Sequence, residues 1–318
     1  MRSGNSRLAV GMLLGCLALQ AGQEEPLIRA DVNVVVLHAT VKDGRNRFAH
    51  GLSRDAFKVT EDGTPQQISF FSSEEVPVAV GLVIDESGSM MRRRSDVITG
   101  ALSFIAASHP KDEMFVVNFN EAAKTGLPDG RPFSSSAPEL RDALMSMEPA
   151  GQTALYDGIM LGLRHLDQAT LAKKVLVVVS DGADNRSHHT LEDVVKTADR
   201  NGVILYTVGL FDQTSDDKNP GVLRRLARQT GGSVYLPDDL SEMKRICAEI
   251  AQDVRNQYAV GYASGNAKLD GAYRRVALTA VDDKGKALKV RTRTGYFGAK
   301  ERDPAVKETG QPALPAPK

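Results

Sequence analysis

Hydrophobic and polar positions change their period twice along this chain of 318 residues. Between 27 and 75 they alternate. Val35, Leu37, Ala39 and Val41 fall on one face of a strand, with Val36, His38, Thr40 and Lys42 on the other. A period of two predicts half-buried strands. Phe57 and Val59 run into Glu61-Asp62-Gly63-Thr64-Pro65, and Ile68, Phe70 and Phe71 follow, which predicts a hairpin about an Asp-Gly turn. From 76 to 256 the pattern becomes unbroken apolar runs alternating with helix-period stretches. Strands are expected over 78–84, 114–117, 174–180, 203–208 and 234–236. Helices are expected near 93–108 (Ile98, Leu102 and Ile105 inward), over 137–147, after Thr153 (Leu155, Ile159, Leu163 and Leu166 on one face), and over 191–201, 223–230 and 240–254. Pro128-Asp129-Gly130 suggests an antiparallel edge hairpin. From 257 to 298 the alternation returns, in 258–262, 274–281 and 290–297.

Strict alternation of strand and helix predicts a Rossmann-like α/β unit, a mostly parallel sheet flanked by helices. Each β segment is too small to stand alone. The economical arrangement pairs 27–75 with 257–298 as a discontinuous small β-sandwich, with the α/β unit of 76–256 inserted in it. Both connections are short, Val76-Pro77 on one side and 255–257 on the other, so the unit should be held rather than tethered.

Composition narrows the partners. Lys plus Arg and Asp plus Glu are 40 each, so no basic excess points to nucleic acid or anionic lipid. Arg2 and Arg7 precede an apolar stretch at 8–19 that is too short to span a bilayer, and small Ala21 and Gly22 follow. This predicts a signal peptide over 1–22 and an exported protein, periplasmic, surface-bound or extracellular. Leu13-Leu14-Gly15-Cys16 resembles a bacterial lipobox, which makes Cys16 a candidate lipid anchor. Cys247 is the other cysteine and falls among Met243, Ile246 and Ile250 on a helical face, so a core position without a disulfide is expected. The Pro-rich 299–318 reads as a disordered tail.

The candidate chemistry lies where apolar runs end. Asp85-Glu86-Ser87-Gly88-Ser89 follows the run 78–84, and Ser180-Asp181-Gly182 follows 174–179. Gly151-Gln152-Thr153 precedes a helical pattern. Parallel order brings all three to the carboxyl edge of a sheet, where α/β folds build sites. Two carboxylates and three hydroxyls are hard oxygen donors suited to Mg²⁺, Mn²⁺ or Ca²⁺.

These three segments resemble the von Willebrand factor A domain and match its metal-ion-dependent adhesion site at Asp85, Ser87, Ser89, Thr153 and Asp181. The resemblance implies one divalent ion per chain. Ser87 and Ser89 would bind it directly; Asp85, Asp181 and Thr153 would bind directly or through water. An acidic side chain of a protein partner would complete the coordination. Asp157 and Asp184 are candidates for an outer layer around the ion. The layout of the two β segments about this unit, ending near Gly295-Tyr296-Phe297, resembles secreted bacterial A-domain proteins abundant in acidobacteria.

Two other classes compete with a metal-dependent binder. A phosphohydrolase with a nucleophilic Asp85 would want a second Asp where Ser87 stands, and neither G-x-S-x-G nor a P-loop is present. His188-His189 lacks the His-x-x-x-His spacing of a helical metal pair and reads as a polar loop before the helix at 191. The remaining alternative is an envelope scaffold in which the β-sandwich binds and the metal site is incidental.

Overall fold

The computed structural model describes residues 34–211 and 218–300. The expected signal segment, Cys16, residues 27–33 and 301–318 lie outside the described residues. The chain begins with β1 (Val34–Lys42), β2 (Phe57–Glu61), β3 (Thr64–Gln66) and β4 (Ile68–Ser72). It continues through β5 (Ala79–Asp85), α1 (Arg94–Ala106), β6 (Glu113–Phe119), β7 (Ala123–Thr125), α2 (Ala137–Leu144) and α3 (Leu155–His165). Next come β8 (Lys174–Ser180), α4 (Leu191–Arg200), β9 (Val203–Gly209), α5 (Pro220–Thr230), β10 (Val234–Tyr235) and α6 (Met243–Arg255). It closes with β11 (Gln257–Ala263), β12 (Tyr273–Ala280), β13 (Lys289–Arg291) and β14 (Gly295–Phe297).

The central sheet runs β10-β9-β8-β5-β6-β7, parallel throughout except for β7. Strand β5 lies between β8 and β6, and all seven of its residues are buried. A side chain at Gly81 would run into Phe115 of β6 and Leu176 of β8, so this strand is as closely packed as its apolar run implies. Local signals fix the helices that cover the sheet. Thr190 and Asp193 close a capping box on α4, and Asn219 caps α5 ahead of Pro220. Gly231, at φ 88°, ends α5 in the left-handed region. Cys247 is buried in the core on α6, as expected.

Two four-stranded sheets flank this unit in sequence, in the orders β13-β1-β11-β4 and β14-β12-β2-β3. Each mixes strands from before and after the α/β unit. Their inner faces share one core, with Leu37, Ala39, Val260 and Tyr262 from the first sheet and Phe57, Val59, Leu278 and Ala280 from the second.

Four local expectations are corrected. The hairpin after β2 reaches only β3, and β4 leaves to pair with β11 in the other sheet. Pro65, which lacks an N–H to extend a ladder, sits in that short edge strand. The closing segment 290–297 splits, with β13 pairing β1 and β14 pairing β12, so the chain changes sheets there too. The edge hairpin turns at 120–122 to form β7, and the turn at Pro128–Gly130 follows it. Finally, α1 buries Val97, Gly100, Ala101, Phe104 and Ile105, leaving Ile98 and Leu102 half-buried. Gly100 sets that face, because a Cβ there would sit 3.1 Å from Cys247 Sγ of the opposing α6.

A polar seam joins the sandwich to the α/β unit. Asp253 of α6, fully buried, accepts a hydrogen bond from Tyr206 Oη of β9 at 2.7 Å and an ion pair from Arg291 of β13. Arg291 also donates to Thr40 Oγ1 of β1 at 2.8 Å, and Gln257 Nε2 of β11 donates to Tyr206 Oη at 3.1 Å. Burial, with Asp253 alongside, drives the Tyr206 hydroxyl well above its usual pKa, so it remains a donor. Replacing Asp253 with Ala would take from Arg291 its carboxylate and from the Tyr206 hydroxyl its acceptor. The expected loss is about 3 kcal/mol in urea denaturation, the low end for a buried pair because Arg291 keeps contact with water. A loss indistinguishable from that of a surface substitution would mean that the seam contributes little.

Candidate metal site at the edge of the central sheet

Strands β5 and β8 are neighbours in parallel register, with Ile84 opposite Val179, so Asp85 and Asp181 emerge side by side at one edge. Asp85 is 2% exposed. Its Oδ1 accepts the Ser87 N–H at 2.9 Å, and its Oδ2 accepts the Ser180 hydroxyl at 2.6 Å. Ser87 Oγ lies 3.1 Å from Ser89 Oγ, which donates to Asp181 Oδ2 at 2.8 Å. Asp181 Oδ1 accepts the Ala183 N–H at 3.0 Å. Four of the five expected residues thus form one compact run at the ends of two strands, Asp85 closing β5, Ser87 and Ser89 following it, and Asp181 following β8. Burial pushes the Asp85 carboxyl up to about 6, against the pull of the Ser180 and Ser87 hydrogen bonds, and the charge of Asp181 adds to the rise.

Thr153, also buried, arrives on the loop between α2 and α3. That loop is fastened on three sides. Gly88 N–H bonds to the Gly151 carbonyl at 3.1 Å, and Ala150 N–H to the Glu86 carbonyl at 2.9 Å. Ala154 N–H reaches the Asn120 carbonyl at 2.7 Å. The Thr153 backbone is held by Asn185: its N–H donates to Asn185 Oδ1 at 3.0 Å, and its carbonyl accepts the N–H groups of Asn185 and Arg186. Gly151 needs its φ of 71°, and Glu121 occupies the space where a Cβ would stand.

Asp157 and Asp184 stay out of the oxygen run. Asp157 gathers the backbone N–H groups and the Nδ1 atoms of His188 and His189, at 2.6–3.1 Å. Burial raises its pKa, but these four donors outweigh burial and hold it well below the usual carboxylate range. The two histidines are therefore a loop clamped by one carboxylate, as a polar-loop reading expects. Asp184 accepts the Tyr156 N–H at 3.2 Å and the Ser187 hydroxyl at 2.5 Å, and burial raises it. Sequence reasoning missed Ser180, Asn185 and Glu86. Ser180 carries a positional signal, directly before Asp181 on the strand. Asn185 carries none, because its partner is backbone.

Among the described residues no three His, Cys, Asp or Glu side chains cluster to hold a metal. The donor set at the sheet edge is two carboxylates and hydroxyls. Such donors fit a hard divalent cation, which would also relieve the like-charge pressure of Asp181 on buried Asp85.

The family model of the von Willebrand factor type A domain matches residues 80–249, and the chain belongs to this family. Comparison with curated proteins gave no match. Among solved structures, a von Willebrand factor type A protein from Catenulispora acidiphila is 16% identical, covering 77% of this chain and 74% of that one at a TM-score of 0.51. It shares the fold. The vWF domain of the type V pili tip protein Mfa5 from Porphyromonas gingivalis is 13% identical, covering 57% and 95%, at 0.46. Proximal thread matrix protein 1 from the mussel byssus, with a zinc-occupied MIDAS motif, is 15% identical, covering 57% and 48%, at 0.47.

Two outcomes follow from the loop geometry. Gly182→Ala should destabilise the protein by at least about 2 kcal/mol, since φ is 79° and the new Cβ would lie 2.5 Å from the Asn219 carbonyl oxygen. Thermal unfolding checks this, and a neutral result would show that the 182–219 contact yields easily. For Asp157, the folded pKa lies below the unfolded one, so its stabilisation is present above the ordinary carboxylate range and lost as pH falls through the folded value. The stability gap between wild type and Asp157→Asn should therefore shrink from about pH 5 downward, a range that brackets the ordinary carboxylate pKa. A gap that is constant with pH would contradict the clamp.

Proposed function

We propose that the chain is a divalent-metal-dependent protein-binding module of the bacterial cell envelope, serving adhesion or assembly. Asp85, Ser87, Ser89, Thr153 and Asp181 would hold one Mg²⁺, or Mn²⁺ or Ca²⁺, and a carboxylate from the partner would complete the coordination. The α/β unit 76–256 carries the site, and the β segments 27–75 and 257–298 form its mount. Export follows from the apolar stretch at 8–19, with Cys16 as the candidate anchor. Among the described residues no helix is long and apolar enough to cross a membrane.

The observation that carries this reading is the oxygen run Asp85–Ser87–Ser89–Asp181 at the end of two buried parallel strands. Two aspartates balance a divalent charge, while the hydroxyls are neutral donors. A cation held this way stays electrophilic toward one further anionic oxygen. Ser87 Oγ and Ser89 Oγ share a hydrogen bond and Ser89 donates to Asp181, a set of oxygens suited to holding a hard cation.

Calorimetry should find one Mg²⁺, Mn²⁺ or Ca²⁺ per chain with a Kd of about 1 mM or tighter, the weak end for Ca²⁺ sites of extracellular modules. Asp85→Ala and Asp181→Ala should each abolish it. Capture of an envelope partner should disappear with EDTA and with Asp85→Ala. Partner capture that survives both would move the function to the β-sandwich. Mg²⁺-dependent hydrolysis of phosphoester or peptide substrates, lost in Ser87→Ala, would make the protein an enzyme.

A further inference from the structure

One buried acid beside the oxygen run is unexplained by it. Glu86 is 1% exposed, yet its Oε1 has no hydrogen-bond partner. Its Oε2 lies 3.4 Å from Arg94 Nε. The rest of the Arg94 guanidinium faces the loop that delivers Thr153. Nη2 donates to the Met147 carbonyl at 2.6 Å, and Nη1 to Glu148 Oε2 at 3.0 Å. The same two segments meet through Ala150 N–H on the Glu86 carbonyl and Gly88 N–H on the Gly151 carbonyl. Arg94 thus spans the junction between the Asp85–Ser89 segment and the 147–153 loop.

Arg94 begins α1 directly after a 3-10 turn, Gly88–Arg93, so the chain runs without a break from the Asp85–Ser89 segment into this helix. Glu148 is largely exposed, so that ion pair contributes little by itself. What remains is the bond to the Met147 carbonyl and the charge contact with Glu86, in which Arg94 Nε makes no hydrogen bond. Only a planar fork can serve both together; a lysine offers one compact charge.

We propose that Arg94 is the positioning residue of the metal site, seating the Thr153 loop against Ser87 and Ser89 with Glu86 as its buried anchor. This rests on the metal-site reading above. Glu86 directly follows Asp85, and Met147 and Glu148 lie on the chain leading to Thr153. Arg94 therefore controls the gap between the hydroxyl donated by the loop and those donated by the strand end, without touching the ion.

The test uses the full chain with Arg94→Met and Arg94→Lys, read by Mg²⁺ calorimetry and by amide hydrogen exchange of the metal-free protein. Both variants should lose about 10- to 100-fold in Mg²⁺ affinity, the range for residues that orient metal ligands. Both should exchange faster at Gly88 and Ala150, with a smaller change at the core amides of β5 and β8. Unchanged affinity in Arg94→Met would overturn the proposal. So would full rescue by Arg94→Lys, since charge alone would then suffice. If the wild type binds no divalent ion, the metal reading fails by itself. Exchange at Gly88 and Ala150 still judges Arg94, and unchanged protection in Arg94→Met sinks the positioning role. Should Arg94→Met fail to fold, Glu86→Gln gives the same readouts, with faster exchange expected and wild-type exchange contradicting the proposal.

Discussion

A carboxylate ends a strand that has no access to water. Asp85 closes seven consecutive buried residues, with parallel neighbours on both sides, so its charge cannot be met by solvent. An uncompensated buried charge is among the most expensive features a fold can carry. The rest of the site answers that constraint. Ser180 and the Ser87 backbone each give Asp85 a hydrogen bond, Ser89 ties the segment to Asp181, and the proposed cation would supply the balancing charge. Burial pushes Asp85 up to about 6 despite those hydrogen bonds, and the charge of Asp181 adds to the rise.

Holding a buried acid in place requires that the loops around it not drift. Each is fastened by polar bonds to a neighbouring loop or helix. Asn185 grips the Thr153 backbone, Asp157 clamps 188–189, and Arg94 bridges 86 to 147–148. Beneath them the sheet is rigid, and behind it Asp253, Tyr206 and Arg291 join the last helix to the flanking strands. For the proposed binding function, loops held this way would lower the ordering cost of taking up a partner.

The parts of this molecule legible in the sequence are those governed by burial and by residue type. Unbroken apolar runs gave β5, β8 and β9, and alternation gave β1 and β12. Carboxylates and hydroxyls placed at strand ends gave the oxygen run, because parallel order alone brings Asp85 and Asp181 together. What escaped depends on backbone partners. Asn185 binds an N–H, and Arg94 reaches the Met147 carbonyl besides two acids distant from each other in sequence, so no local pattern marks either. The sheet changes at 66–68 and 291–295 escaped for a related reason: local alternation is the same whichever sheet a strand joins. The face of α1 was off by about one position because Gly100, small enough to admit Cys247, outweighs the larger Ile98 and Leu102 in setting the contact.

The most direct measurement is a crystal grown or soaked with Mn²⁺ and examined by anomalous scattering. The account predicts one strong peak per chain, bonded to Ser87 Oγ and Ser89 Oγ at about 2.2 Å, the distance expected for a small divalent ion on oxygen ligands. Asp85, Thr153 and Asp181 should lie in contact with it directly or through one water. No peak between these residues at millimolar Mn²⁺, with Ser89 still bonded to Asp181, would contradict it.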